Sequence, residues 1–409
     1  MKIKVGVIYG GETVEHEVSI ISAMQAINKM DNEKYDVVPI YITKDREWYT
    51  GEMLKDIEIY EDMNLIKKYG KNVVLYAKDG MFVLQKKTFP KSIVTDIDIV
   101  FPIMHGTNGE DGVIQGYLES IGIPFVGGDI YASVVGQDKV FMKDIFEANK
   151  LPITKYTWFY DNDYKNDSES VLKEIKKLKY PVIVKPAKTG SSVGISVAAN
   201  DNELVDAIDD AIQYDNKIVV EEVVKNLKEV NISVLGNYEN QSLSEIEEVM
   251  SGNKLLTYAD KYISGGKGKI KGGVKAAVKG SSKGMASANR KLPADITKKL
   301  REEVETVATK AFKALGSAGV CRIDFLIDDK AKKVYINEIN SIPGSLAFYL
   351  WEAKGVNFSE LLDDMINIGI KDYKKRSSKT YSFDSNILKG FTSSGGVKGM
   401  KGIKGKLGK

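Results

Sequence analysis

Over the first third of the chain, short apolar runs alternate with segments whose apolar residues recur every three or four positions, a pattern of strands and helices in turn. Residues 4–10 (KVGVIYG) are an apolar run that ends in Gly10 and Gly11 and predicts a buried strand. After the polar loop ETVEHEV, residues 19–30 place Ile20, Ile21, Met24 and Ile27 near one helical face, with Ser19 as cap. A strand is expected at 37–42, a hairpin in NVVLYAKDGMFVLQK turned at Asp79-Gly80, and another apolar strand at 97–103. That last strand runs into the polar loop MHGTNGEDG. Strand ends facing polar loops are where open α/β sheets place ligands.

From about residue 129 to 225 the pattern changes to an α+β unit. A helix is expected over DKVFMKDIFEANK, then the strand TWFY, a helix near 168–178, and two apolar runs joined by a Gly-, Ser- and Lys-rich loop in YPVIVKPAKTGSSVGISVA. A helix at 201–213 and the strand KIVVEEVV complete it. Beyond it, NISVLG, SEIEEV, GVCRIDFLI and KVYINEIN read as mostly antiparallel or mixed strands. Between them, Ile296, Leu300, Val304, Val307, Ala311 and Leu315 mark an amphipathic helix stopping at Gly316. The divisions are therefore 1–128, 129–225 and 226–370, followed by a 371–409 extension with a Gly- and Lys-rich tail.

At 409 residues the chain supplies material for more than one core. Its opening MKIKVGVIYGG reads as strand and not as a signal peptide, and no stretch approaches the roughly 18 apolar residues of a membrane span. A soluble, cytoplasmic protein is expected. A lone Cys321 excludes an intrachain disulfide, and with only His16 and His105 any metal should be a hard cation on oxygen ligands. The formal charge is only +3, with lysines gathered at 264–284 and in the tail, so nucleic-acid binding is disfavoured as a main function.

The loop from Lys185 to Gly194 has flanking strands, glycines and small serines that let backbone amides approach an anion such as triphosphate. A plain surface hairpin is the other reading. Strand alternation sends Arg322 and Asp324 to one face, and Glu338 and Asn340 likewise, so side-chain oxygens from neighbouring strands could hold Mg²⁺. The alternative is a solvated face with a salt bridge. Arg322 suits a carboxylate or an oxyanion, and Glu15 a substrate ammonium. His105, Glu110 and Asp111 sit in a second candidate loop; Tyr262 reads equally well as a core aromatic, and Cys321, with no basic partner assigned to it, reads as packing rather than a nucleophile.

Taken in order, GGETVEHEVS, the run from His105 to Gly116, KPAKTGSSVG, DKY at 260–262, RID at 322–324 and NEINSIPG at 337–344 resemble the D-alanine:D-alanine ligase family of the ATP-grasp superfamily. The resemblance spans roughly residues 3–370. It implies a three-domain ATP-grasp architecture with an N-terminal open α/β, Rossmann-like domain, and ATP held between the central and C-terminal domains. It further implies phosphate-binding Lys139 and Lys185, and a loop containing Lys188, Gly190, Ser191, Ser192 and Val193 closing over the triphosphate. Adenine would meet Glu221, Glu222 and Val223, and the ribose Glu229, although EEVVKNLKE is one residue longer than is usual for the family. Asp324, Glu338 and Asn340 match magnesium ligands, for two ions, with Mn²⁺ able to substitute. Glu15, supported by Ser191, would hold the first D-alanine, with His105 and Glu110 lining the site. Arg322 and Gly344 would stabilise the oxyanion, and Lys261 and Tyr262 belong to a mobile covering loop at about 258–292. Tyrosine there resembles the D-alanine-adding type, since D-lactate-adding relatives carry histidine in that loop. A homodimer is the implied assembly.

Two departures from the family pattern matter. Tyr349, followed by Leu350, stands where the family has a serine and leucine that shape the second-substrate pocket, which raises D-serine as an alternative acceptor. Segment 264–284 is also longer than expected, read as a tolerated insertion or a polyanion contact.

Overall fold

The computed structural model describes residues 2–190, 193–250 and 290–382. The chain divides into two compact units, 1–371 and 372–409. In the first unit the described strands form three sheets. The second unit's described part continues the helix Phe358–Ser377 and ends in an irregular stretch.

The first sheet has seven strands, with Ile3–Gly10 between Tyr35–Ile42 and Ile99–Pro102, both parallel to it. From the central strand the chain moves first to one side and later to the other, which opens a crevice at the carboxyl ends of this trio. The hairpin turns at Asp79 (φ 50°) and Gly80 (φ 77°), as its sequence predicts. The 97–103 run is instead two strands, Ile93–Ile97 and Ile99–Pro102, broken where the Asp98 carboxylate accepts the Lys4 amide at 2.7 Å.

The first helix is His16–Ile27, earlier than its apolar pattern suggests, so Ser19 is not its cap. The Ser19 hydroxyl accepts the Gly10 amide at 2.8 Å and donates to the Ile103 carbonyl at 2.6 Å, clamping the helix to two strand ends.

The second sheet is antiparallel, ordered Ser196–Ala198, Val182–Pro186, Lys217–Glu222, Tyr156–Tyr160. The third, also antiparallel, is ordered Arg290–Lys291, Gln241–Val249, Leu227–Gly236, Gly319–Asp328, Lys333–Asn340. One of its faces packs on helix Lys298–Ala314, which Thr297 caps through the Leu300 amide and which stops before Gly316 in the left-handed region. The helix buries Leu300, Val304, Val307, Ala308, Ala311 and Phe312 against Val230, Ile232, Ile323, Phe325 and Ile336. Truncating Leu300 to alanine should cost about 2–5 kcal/mol. The opposite face carries the polar Asn231, Ser233, Arg322 and Asp324 beside the apolar Leu235 and Val320, which pack with Leu346 and Trp351.

Among the described residues no helix is long and apolar enough to cross a membrane.

Candidate active site

Two loops leave the carboxyl ends of the parallel trio and meet at Glu15. Gly10 makes the first turn at φ +90°, where a Cβ would lie 2.3 Å from the Ile42 carbonyl oxygen. Glu15 is 7 % exposed, and Gly106 and Gly190 both press against its carboxylate, so the 105–112 loop and the Lys188–Gly190 stretch converge on it. Glu110 accepts the amides of Gly106 (2.9 Å) and Ile342 (3.0 Å), which draws residues 341–342 to the same point. Burial and the nearby Glu15 charge raise the Glu110 carboxyl to about 8.

His105 is buried between a carbonyl and a hydroxyl, 2.8 Å from Ile342 O and 2.9 Å from Ser22 Oγ. Ser22 Oγ also accepts the Ser345 amide at 2.9 Å. These contacts assign the tautomer: Nδ1–H donates to Ile342, and Nε2 accepts from Ser22. Burial pushes the imidazole down to about 4, so it stays neutral. The chain of bonds pins the Gly344 turn, whose next three residues, Ser345, Leu346 and Ala347, all sit in the left-handed region at φ 50–53°. Left-handed backbone costs roughly 1–2 kcal/mol per residue, so that geometry must be imposed by its neighbours.

A second cluster lies where the four- and five-stranded sheets meet. Glu221 is fully buried, with Lys143 and Lys185 each at 2.9 Å and the Thr154 hydroxyl at 2.6 Å. Burial pushes its carboxyl up, but the two lysines and the hydroxyl outweigh burial and hold it well below the usual range. Lys185 reaches across to Asn337 Oδ1 (3.1 Å), on the bulge of strand Lys333–Asn340. Lys139 donates to the Thr189 carbonyl (2.9 Å) and lies 3.8 Å from Glu338. Lys188 turns to Asp215 and Asn216, while its carbonyl accepts from Gln137. Glu222 accepts the Lys179 amide at 3.1 Å, Val223 follows the strand end, and Glu229 pairs in register with Leu326 and Val249.

The polar face of the five-stranded sheet carries the third cluster. Glu247, Asn231, Asp324 and Glu338 are direct partners on four successive strands and form one transverse row. Ser233, Arg322 and Asn340 form the next. Arg322, 8 % exposed, grips Asp324 through Nε–Oδ1 and Nη2–Oδ2, both 2.7 Å, and Asn340 Nδ2 donates to Asp324 at 3.2 Å. Among the described residues no three His, Cys, Asp or Glu side chains gather as a metal group. Two carboxylates and an amide on adjacent strands nevertheless offer hard oxygen donors of the kind Mg²⁺ takes. Tyr349 donates to Glu247 at 2.8 Å, Leu350 is fully buried, and Cys321 is buried with its thiol raised.

Ser191, Ser192, Lys261, Tyr262, segment 264–284 and the tail beyond 382 lie outside the described residues. Sequence reasoning missed Lys143, Ser22, Asn231, Glu247 and Arg290. Lys143 alone left a signal, one helical turn after Lys139 on the same face.

Two family models match the chain's sequence: one described as "D-ala D-ala ligase N-terminus" over residues 4–128, and one as "D-ala D-ala ligase C-terminus" over 145–367. The chain is 38 % identical over 387 residues to a D-alanine–D-alanine ligase of Thermosipho africanus, covering 94 % of this chain and 98 % of the relative. Among solved structures it is similar to a D-alanine-D-alanine ligase from Coxiella burnetii (TM-score 0.76, 25 % identity, covering 92 % and 96 %). It is also similar to the VanG D-Ala:D-Ser ligase from Enterococcus faecalis (TM-score 0.72, 28 % identity, covering 90 % and 100 %). With both profiles in order and this level of identity along nearly its whole length, the chain belongs to the D-alanine:D-alanine ligase family of the ATP-grasp superfamily.

Proposed function

We propose that this protein joins two D-alanine molecules into D-alanyl-D-alanine at the expense of ATP, as a cytoplasmic, homodimeric supplier of peptidoglycan precursor. The observation that carries the reading is the lysine bridge. Lys185, on the four-stranded sheet, and Lys139, at the start of helix Lys139–Ala148, reach to Asn337 and Glu338, and Glu338 shares the transverse row of Asp324, next to the row of Arg322. Phosphate-binding cations thus adjoin an oxyanion-stabilising one.

In the proposed reaction, Glu15 holds the ammonium of the first D-alanine, and its carboxylate oxygen attacks the γ-phosphorus of ATP. ADP leaves and a D-alanyl phosphate forms, with Lys139 and Lys185 neutralising the phosphates. The second D-alanine enters as a free amine, its proton lost to solvent. Its nitrogen attacks the acyl carbon, Arg322 and the Gly344 amide stabilise the tetrahedral oxyanion, and the C–O bond to phosphate breaks as the nitrogen gives up its second proton to the departing phosphate. Asp324, Glu338 and Asn340 would hold Mg²⁺, two ions on the family pattern, which supplies charge neutralisation at the phosphates. Residues 1–128, 129–225 and 226–370 are the three domains in this reading, with ATP between the last two and Glu221, Glu222, Val223 and Glu229 on the nucleoside side.

The test is ADP formation from ATP and Mg²⁺ with D-alanine alone and with D-serine in competition, products identified by mass. D-alanyl-D-alanine as the main product is expected. A dominant mixed product would move the acceptor to D-serine, and no amino-acid-dependent ADP formation would overturn the reading.

A further inference from the structure

Glu247 ends the transverse row two strands from Asp324, about 10 Å along the sheet at the usual strand spacing. It is fully buried and accepts three charge-assisted or polar bonds: Asn231 Nδ2 at 2.9 Å and Tyr349 Oη at 2.8 Å on one oxygen, and Arg290 Nη1 at 2.8 Å on the other. The Arg290 guanidinium lies over the Tyr349 ring, 4.6 Å from its centroid. Tyr349 is the residue that replaces the family's pocket serine. Its single proton is spent on Glu247, so it has none to offer a substrate carboxylate.

Arg290 is held through one Nη, and its Nε is buried with no hydrogen-bond partner among the described residues. A buried donor left unpaired is destabilising, and the edge of a guanidinium is shaped for a carboxylate. The acceptor amino acid reacts as a free amine and is therefore a net anion, so it needs a cation on its carboxylate side. We propose that Arg290, oriented by Glu247 and stacked on Tyr349, receives the α-carboxylate of the acceptor amino acid and takes over the recognition that the missing serine would provide. This rests on the ligase reading above.

The probe is D-alaninamide, which keeps the attacking amine and lacks the carboxylate. The full-length enzyme receives ATP, Mg²⁺ and equal D-alanine and D-alaninamide, and the two condensed products are quantified by mass. The wild type should favour the carboxylate acceptor by about tenfold or more, Arg290→Gln should lose at least about tenfold of that preference, and Arg290→Lys should fall between. A folded Arg290→Gln with the wild-type product ratio overturns the proposal. If Arg290→Gln does not fold, an unchanged ratio in Arg290→Lys, which has no fork, overturns it instead. A wild type that makes neither product fails the ligase reading, a distinct result.

Discussion

Arg322 and Asp324, two residues apart on one strand, are locked in a two-pronged ion pair with both N···O distances at 2.7 Å. The carboxylate expected to hold magnesium thus already serves the arginine expected to steady the oxyanion. Asp324→Asn should therefore raise the Mg²⁺ concentration for half-maximal rate by at least about tenfold, with partial recovery of rate at high Mg²⁺. A lowered kcat with an unchanged Mg²⁺ dependence would assign Asp324 to Arg322 alone.

Glu110 and Glu15 crowd one buried point, and the folded protein favours the protonated Glu110 carboxyl. Because its pKa is raised from 4.5 to about 8, its stabilising contribution is complete below about 4.5 and is lost as pH rises through about 8. Melting temperature should fall from pH 6 to pH 9 more steeply in the wild type than in Glu110→Gln. Parallel curves would contradict the pairing.

Lys143 never touches solvent, yet shares Glu221 with Lys185. Lys143→Met should cost about 3 kcal/mol by urea unfolding, toward the low end for a broken buried pair because Lys185 and Thr154 still serve Glu221. The Glu221 carboxyl is depressed from 4.5, so its contribution is present above pH 4.5 and lost as pH falls further. Acid destabilisation should accordingly be shallower in Lys143→Met.

At Gly106, φ is +71°, and a Cβ would stand 2.6 Å from Glu15 Oε2 and 2.7 Å from Thr13 Oγ1. Gly106→Ala should raise the KM for D-alanine by about tenfold, since small misplacements at a positioned group are costly. An equal rise in the KM for ATP would point to general distortion.

The sheets were legible where pattern and turn chemistry agree, as at Asp79-Gly80 and in the helix ended by Gly316. The helix Phe358–Ser377 was not predicted, although Leu361, Leu362, Met365 and Ile366 mark its buried side. Most motif residues could be named in advance, but not their partners. Glu247 and Arg290 meet only because the strands Gln241–Val249 and Arg290–Lys291 pair, and periodicity carries no information on pairing. Lys143 reads as a solvated charge on its helix until the four-stranded sheet is laid against it.

The transverse row from Glu247 to Glu338 makes chain length itself part of the chemistry. Side chains change face at each step along a strand, so one residue added inside any of these strands would swing its polar member toward helix Lys298–Ala314. The same addition in a connection leaves the row untouched. Segment EEVVKNLKE includes such a connection, residues 223–226, between the strands Lys217–Glu222 and Leu227–Gly236. Insertions are thus absorbed in the connections, or inside a strand only through a bulge such as the one at Asn337, while the rest of each strand acts as a ruler that keeps the polar row on one face.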